Sequence, residues 1–182
     1  MARWSIIIPA AATATAPSAA FAVEYLSGDQ AQATIFPEAE QFQTREFHLD
    51  EKARSALESK LGLPVRAKWI VRLALRGGVI VGAVIVDDVI GKFDRITFAA
   101  GLGLNGVVRE VEILAYRESH GQEVRQAAWR AQFAGKSESS PLRVGDDLSN
   151  ISGATLSCNH VADGARRSIA VLASLRSVGA LK

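Results

Sequence analysis

Apolar and polar positions change their spacing several times along this chain, and the changes predict its elements. Near the start, residues 24–36 read as a short helix that ends at Pro37, because proline disfavours helix at the residue before it. Residues 41–49 alternate and read as a strand. A helix over 51–61 follows, with Asp50 as its N-cap and Gly62 at its end. The middle of the chain is rich in β-branched residues. Runs over 69–75 and 79–86 are joined by Arg76-Gly77-Gly78, and runs over 94–104 and 107–116 meet across Asn105-Gly106, a strong hairpin dipeptide. In the fourth run Val107, Arg109, Val111, Ile113 and Ala115 alternate with Val108, Glu110, Glu112, Leu114 and Tyr116, so one face is mostly apolar. A helix is expected after Val124, to about Phe133. The last one, from Cys158 to about Val178, carries Val161, Ala165, Ile169, Leu172 and Leu175 at helical spacing, with Gly164 weakening it slightly. Successive hairpins without strand-helix alternation predict an α+β fold, a single domain with an antiparallel sheet and packed helices.

Composition supports one domain. The chain has 182 residues, 48% apolar, with 5 prolines, enough to bury a core. A net charge of +2 is too small to argue for nucleic acid. Cys158 is the single cysteine, which excludes an internal disulfide. Residues 1–22 stand apart. Arg3, an apolar stretch over 6–16, Pro17 and the small-x-small Ala20-Phe21-Ala22 read as a secretory signal peptide, leaving 23–182 as the domain and predicting export, most simply to a periplasm. An uncleaved membrane anchor is the alternative. Pro9 and Pro17 interrupt the apolar run, which is short for a span of about 20 residues.

The stretch richest in chemistry is 147–157. Ser152, Gly153 and Ala154 carry little side-chain bulk, so another active site or a flat cofactor can approach the Thr155 hydroxyl closely. Ser157 or Thr155 is expected to cap the helix that follows. A phosphate esterified to Thr155 would then lie near the first turn, where free N–H groups and the macrodipole favour negative charge. An ordinary loop and N-cap use the same residue types. Other chemistries find less support. Gly101-x-Gly103-x-x-Gly106 spells a dinucleotide fingerprint, but it lies inside a hairpin and opens no helix. Cys158, His160 and Asp163 have no second cluster to complete a tetrahedral metal site. No G-x-S-x-G elbow accompanies the histidines.

Ser152-Gly153-Ala154-Thr155, followed by a hydroxyl residue and an apolar helix, resembles the flavinylation motif of the FMN-binding domain family. That family includes the flavin-carrying C subunit of the sodium-translocating NADH:quinone reductase and the G subunit of the Rnf complex. Upstream, Phe36-Pro37-Glu38-Ala39 resembles its F-P-x-A element. Glu118-Ser119-His120-Gly121 occupies the place of its E-T-P-G-x-G segment, with His120 for proline and Glu123 for the second glycine. Gln132-Phe133-Ala134-Gly135-Lys136 resembles its Q-F-x-G-K. The resemblance implies FMN as cofactor, joined by a flavin transferase through a phosphoester to Thr155. Ser152, Gly153, Ala154 and Ser157 would complete the motif, and Glu118, His120 and Gly121 would line the flavin site. The family usually has an aspartate three residues before the motif serine; Ser149 stands there, and Asp147 is the nearby candidate.

Trp129 and Phe133, four apart on one helical face, are suited either to cover an isoalloxazine ring or to fill the core. Lys136 is suited to offset phosphate charge, or is simply solvated. Arg166 and Arg167 read as a solvated face. The function implied is an exported electron-transfer flavoprotein, a carrier more than a stand-alone enzyme, working with a membrane-bound or periplasmic redox protein. The alternatives are a ligand-binding or sensor module on the same fold that carries no flavin, and a noncovalent flavoenzyme with its own substrate.

Overall fold

Six antiparallel strands form one sheet in the order β1-β6-β5-β4-β3-β2. They are β1 (Val23–Glu24), β2 (Gln41–His48), β3 (Lys68–Arg76), β4 (Val79–Ile90), β5 (Arg95–Gly103) and β6 (Val108–Tyr116). The helices are α1 (Gly28–Ile35), α2 (Glu51–Leu61), α3 (Ala127–Arg130) and α4 (Thr155–Ser177). This computed structural model describes residues 23–118 and 120–181, so the expected signal segment and Ser119 lie outside the described residues. Among the described residues no helix is long and apolar enough to cross a membrane.

The pleat sends alternate residues to two cores. On one face Trp69, Val71, Leu73, Ala83, Ile85 and Phe98 pack with Val161, Ala165, Ile169 and Leu172 of α4. On the other, Ala74, Val84, Ala99 and Leu114 pack with Ala31, Ile35 and Phe36. Each fully buried Leu, Ile or Phe contributes roughly 1.5–3 kcal/mol, and both cores draw such residues from the central strands. Two glycines of the G-x-G-x-x-G stretch and its neighbour strand act in this packing. A Cβ on Gly101 would stand 2.1 Å from Ile35 Cγ2, and one on Gly82 would stand 2.3 Å from Phe36 Cζ. Gly164 serves the opposite face: a Cβ there would stand 2.5 Å from Phe98 Cζ, so glycine in mid-helix is what lets α4 seat on the sheet.

Where the signals are local, the elements match expectation. Asp50 caps α2 by accepting from Ala53 N–H at 2.7 Å, and Gly62 ends it with φ 67°. The turn residues Gly77 and Gly78 both adopt positive φ, as the hairpin requires. Four expectations need correction. First, α1 begins at Gly28, not 24, because Val23 and Glu24 pair with Tyr116 and Ala115 of β6 and Ser27 forms a capping box with Gln30. Second, β4 runs on to Ile90 and returns into β5 through a turn in which Gly91 N–H donates to Asp94 O at 2.7 Å. Third, the helix expected to end at Phe133 is three short turns, Gln122–Arg125, Ala127–Arg130 and Ala131–Phe133. Here the chain folds over the open edge of β6: Arg130 donates to Val111 O at 2.9 Å, and Val108 exchanges backbone bonds with Gly135 and Lys136.

The fourth correction concerns Arg166 and Arg167, which are not a solvated face. Arg167 donates twice to Asp87 Oδ2, at 2.8 and 2.6 Å, while Arg66 holds the other oxygen at 2.8 Å. Arg166 bonds Asp163 at 3.1 Å and Leu61 O at 3.3 Å. These contacts tie α4 to β4 and to the end of α2.

Candidate cofactor site

Thr155 is the first residue of α4, and its side chain is exposed. The N-cap is Ala154, with φ −118°, and no side chain caps the helix. The expectation of a Ser157 or Thr155 cap is therefore wrong: α4 starts three residues earlier than the spacing suggested. Ser157 is consequently buried inside the first turn, where its hydroxyl lies 2.9 Å from Tyr116 Oη. The consequence is chemical. The first N–H groups of a 23-residue helix face outward without a side-chain acceptor, beside an exposed hydroxyl. Gly153, at φ 85°, and the Ala154 N–H to Ile151 O bond of 3.0 Å make the tight turn that presents them.

The helix start forms one wall of a cleft of about 460 Å³, lined by Lys92, Phe93, Glu118, His120 and residues 153–157. That volume falls within the usual range for cofactor sites, about 300–1,000 Å³. Its walls are of two kinds. Phe93, 79% exposed, and Leu156, 45% exposed, offer apolar surface, while Lys92 offers an ammonium and His120 an imidazole. Lys92 Nζ lies 4.9 Å from the centre of the Phe93 ring. An anionic phosphate beside Thr155 and an apolar ring system fit this donor set.

The far wall is held by a small clasp. Tyr116 Oη donates to His120 O at 2.5 Å and meets Ser157 Oγ, joining the 118–121 loop to the helix start. Burial raises the Tyr116 phenol above its ordinary value, so it stays a neutral hydroxyl. Gly121, at φ 89°, is required by the close approach: its Cβ would lie 2.6 Å from Tyr116 Oη and 3.0 Å from Ser157 Oγ. Glu118 reaches across the cleft floor, its Oε1 accepting from the N–H groups of Phe93 at 2.5 Å and Asp94 at 2.9 Å.

Of the residues singled out from the sequence, Glu118, His120, Gly153, Ala154, Thr155 and Ser157 come together in this cleft. Ser152 is exposed in the same loop. Four others support the loop from beneath. Trp129 and Phe133 are buried core residues in edge-to-face contact at 5.2 Å, and neither lines the cleft. The Trp129 indole N–H donates to Ser149 O at 2.8 Å, and Gln132 Oε1 accepts from Ser149 N–H at 2.8 Å, so this segment grips the chain before the motif. Lys136 Nζ lies 2.9 Å from Asp147 Oδ2, while Asp147 Oδ1 accepts from Arg143 N–H at 2.9 Å. Burial pushes the Asp147 carboxyl up, but Lys136 and the Arg143 and Leu142 backbone outweigh it and hold it below its ordinary value. Asp147 thus braces its own loop.

Sequence reasoning missed Lys92, Phe93 and Leu156. The available signal was a phenylalanine in the polar turn Gly91-Lys92-Phe93-Asp94, a place where core packing cannot use it.

Comparison with known proteins agrees with this geometry. Residues 91–170 match the model of the FMN-binding domain family. Among solved structures, NqrC from Shewanella oneidensis is similar with a TM-score of 0.55 and 14% identity, over 85% of this chain and 90% of that one. At that identity the likeness speaks for the fold, a single domain with an antiparallel sheet and helices. No curated protein matches the chain. The matched segment begins at the Gly91 turn and ends in α4, so it contains every residue of the cleft. The likeness to the FMN-binding domain family is thus carried by residues 91–170, the segment that builds the whole cleft, and FMN is the cofactor that this match supports.

Proposed function

We propose that this chain is an exported electron-transfer flavoprotein that carries FMN covalently, through a phosphoester on Thr155. The observation that carries the reading is the exposed Thr155 hydroxyl at the first position of an uncapped helix, on the wall of the cleft. The N–H groups of residues 155–157 and the helix dipole would hold the phosphate charge, with Lys92 and His120 adding donors across the cleft. Phe93 and Leu156 would shield the apolar ring system from water. When bound, FMN supplies a centre that takes up one or two electrons, and the protein's part is to hold it and set its potential.

Attachment needs an activated phosphate donor. A flavin dinucleotide fills that role: Thr155 Oγ1 forms the new O–P bond and loses its proton, the P–O–P linkage breaks, and a nucleoside monophosphate leaves. A flavin transferase would perform this step, and the small residues 152–154 leave room for its active site. The signal segment read in residues 1–22 puts the carrier outside the cytoplasm, with a membrane-bound or periplasmic redox protein as its partner. There, a covalent link keeps the cofactor from being lost.

The test is the intact mass of protein denatured after co-expression with a flavin transferase, beside Thr155→Ala. The expected result is an added mass of FMN less water in the wild type and none in the variant. An unmodified wild type would overturn covalent attachment and favour the flavin-free module. Flavin held tightly but noncovalently by Thr155→Ala would favour a noncovalent flavoenzyme.

A further inference from the structure

Glu118 lines the cleft, yet one of its carboxylate oxygens is already engaged with the protein. Oε1 accepts from the backbone N–H of Phe93 at 2.5 Å and of Asp94 at 2.9 Å, two residues more than twenty positions away in the chain. A single oxygen that accepts two backbone N–H bonds ties both residues to one point. The turn they hold is otherwise weakly anchored. Gly91 N–H to Asp94 O closes it at 2.7 Å, while Lys92 and Phe93 stand out from it and Phe93 is 79% exposed. The approach leaves room for no side chain at position 91. A Cβ on Gly91 would lie 2.4 Å from Glu118 Oε1 and 3.1 Å from its carboxyl carbon. Glycine and carboxylate are therefore matched across the turn, and together they fix where Phe93 and Lys92 stand.

An exposed phenylalanine held this firmly has no use in the core; its ring faces the same cleft as Thr155. We propose that Glu118 is a positioning residue: through the backbone of the 91–94 turn it sets Phe93 and Lys92 as the cleft wall, and it acts on the bound cofactor through them. This rests on the reading that the cleft holds FMN. Glu118 then differs from a direct flavin ligand in a measurable way, because its charge matters less than its ability to accept two N–H bonds.

The experiment has two arms. In flavin-free protein, amide hydrogen exchange at Phe93 and Asp94 should speed up about tenfold or more in Glu118→Ala, the loss expected when a carboxylate acceptor is removed. Glu118→Gln keeps an acceptor oxygen in place and should stay within about threefold of wild type. In flavin-loaded protein, Glu118→Ala should shift the midpoint potential and the flavin fluorescence as Phe93→Ala does. The Glu118→Ala/Phe93→Ala double variant should go no further than Phe93→Ala alone, and Glu118→Gln should resemble wild type. Unchanged exchange in Glu118→Ala would overturn the proposal. So would a potential in Glu118→Gln displaced as far as in Glu118→Ala, or additive effects in the double variant. The exchange arm needs no flavin, so it decides the positioning role even if wild-type protein proves unmodified at Thr155.

Discussion

Gly121 and Gly153 stand near the start of α4, both in left-handed backbone, at φ 89° and 85°. Their surroundings differ. Nothing lies within 4 Å of a Cβ built on Gly153. On Gly121 it would meet Tyr116 Oη at 2.6 Å, Ser157 Oγ at 3.0 Å and Ala154 Cα at 3.4 Å. Gly153→Ala therefore carries backbone strain alone, about 1 kcal/mol. Gly121→Ala adds a forced separation of the Tyr116 and Ser157 hydroxyls, which costs about 2 kcal/mol more for a buried hydrogen bond and its packing. The totals are about 1 and about 3 kcal/mol, and a domain of this size loses roughly 2–4 °C in Tm per kcal/mol. Thermal melts followed by circular dichroism should thus place Gly153→Ala about 3 °C and Gly121→Ala about 9 °C below wild type. Intact mass on the same preparations shows whether either change also lowers flavin loading. Equal melts, or a larger loss in Gly153→Ala, would refute the idea that the 118–121 loop is clasped onto the start of α4.

Two further outcomes follow from the ion pairs. Asp147 titrates below its ordinary value of 3.8, so its contribution is fully present above that value and is lost as pH falls through the lower, folded one. Urea denaturation of wild type and Asp147→Asn should give a stability gap at neutral pH that closes only in strong acid; a gap that closed near neutrality would contradict the assignment. Asp87→Ala removes a carboxylate that is 1% exposed and strands Arg167, 11% exposed, so it should cost about 3 kcal/mol or more in the same assay. A loss below about 1 kcal/mol would mean the pair does not tie α4 to β4.

The legible parts of this fold are those whose signals are local. Asp50 and Gly62 bracket α2 because N-cap and C-cap chemistry acts within a few residues, and the glycine turns at 77–78 and 106 announce their hairpins for the same reason. The illegible parts depend on distant partners. Arg167 looked solvated because Asp87 is 80 residues away, and no helical spacing records that contact. The short turns over 122–133 looked like one helix because the open edge of β6, which they cover, is invisible to periodicity.

The same division runs through the site. By itself, the sequence determined the hairpin turns at 77–78 and 105–106, the body of the last helix and the small-residue loop before it, since each follows from neighbours in the chain. Only the tertiary structure decided that Trp129, Phe133, Lys136 and Asp147 brace that loop from below, and that Lys92, Phe93 and Leu156 line the cleft. The reason is physical: which side of a turn or helix faces a cleft is set by the packing of elements brought together from across the chain, and no short stretch encodes that orientation.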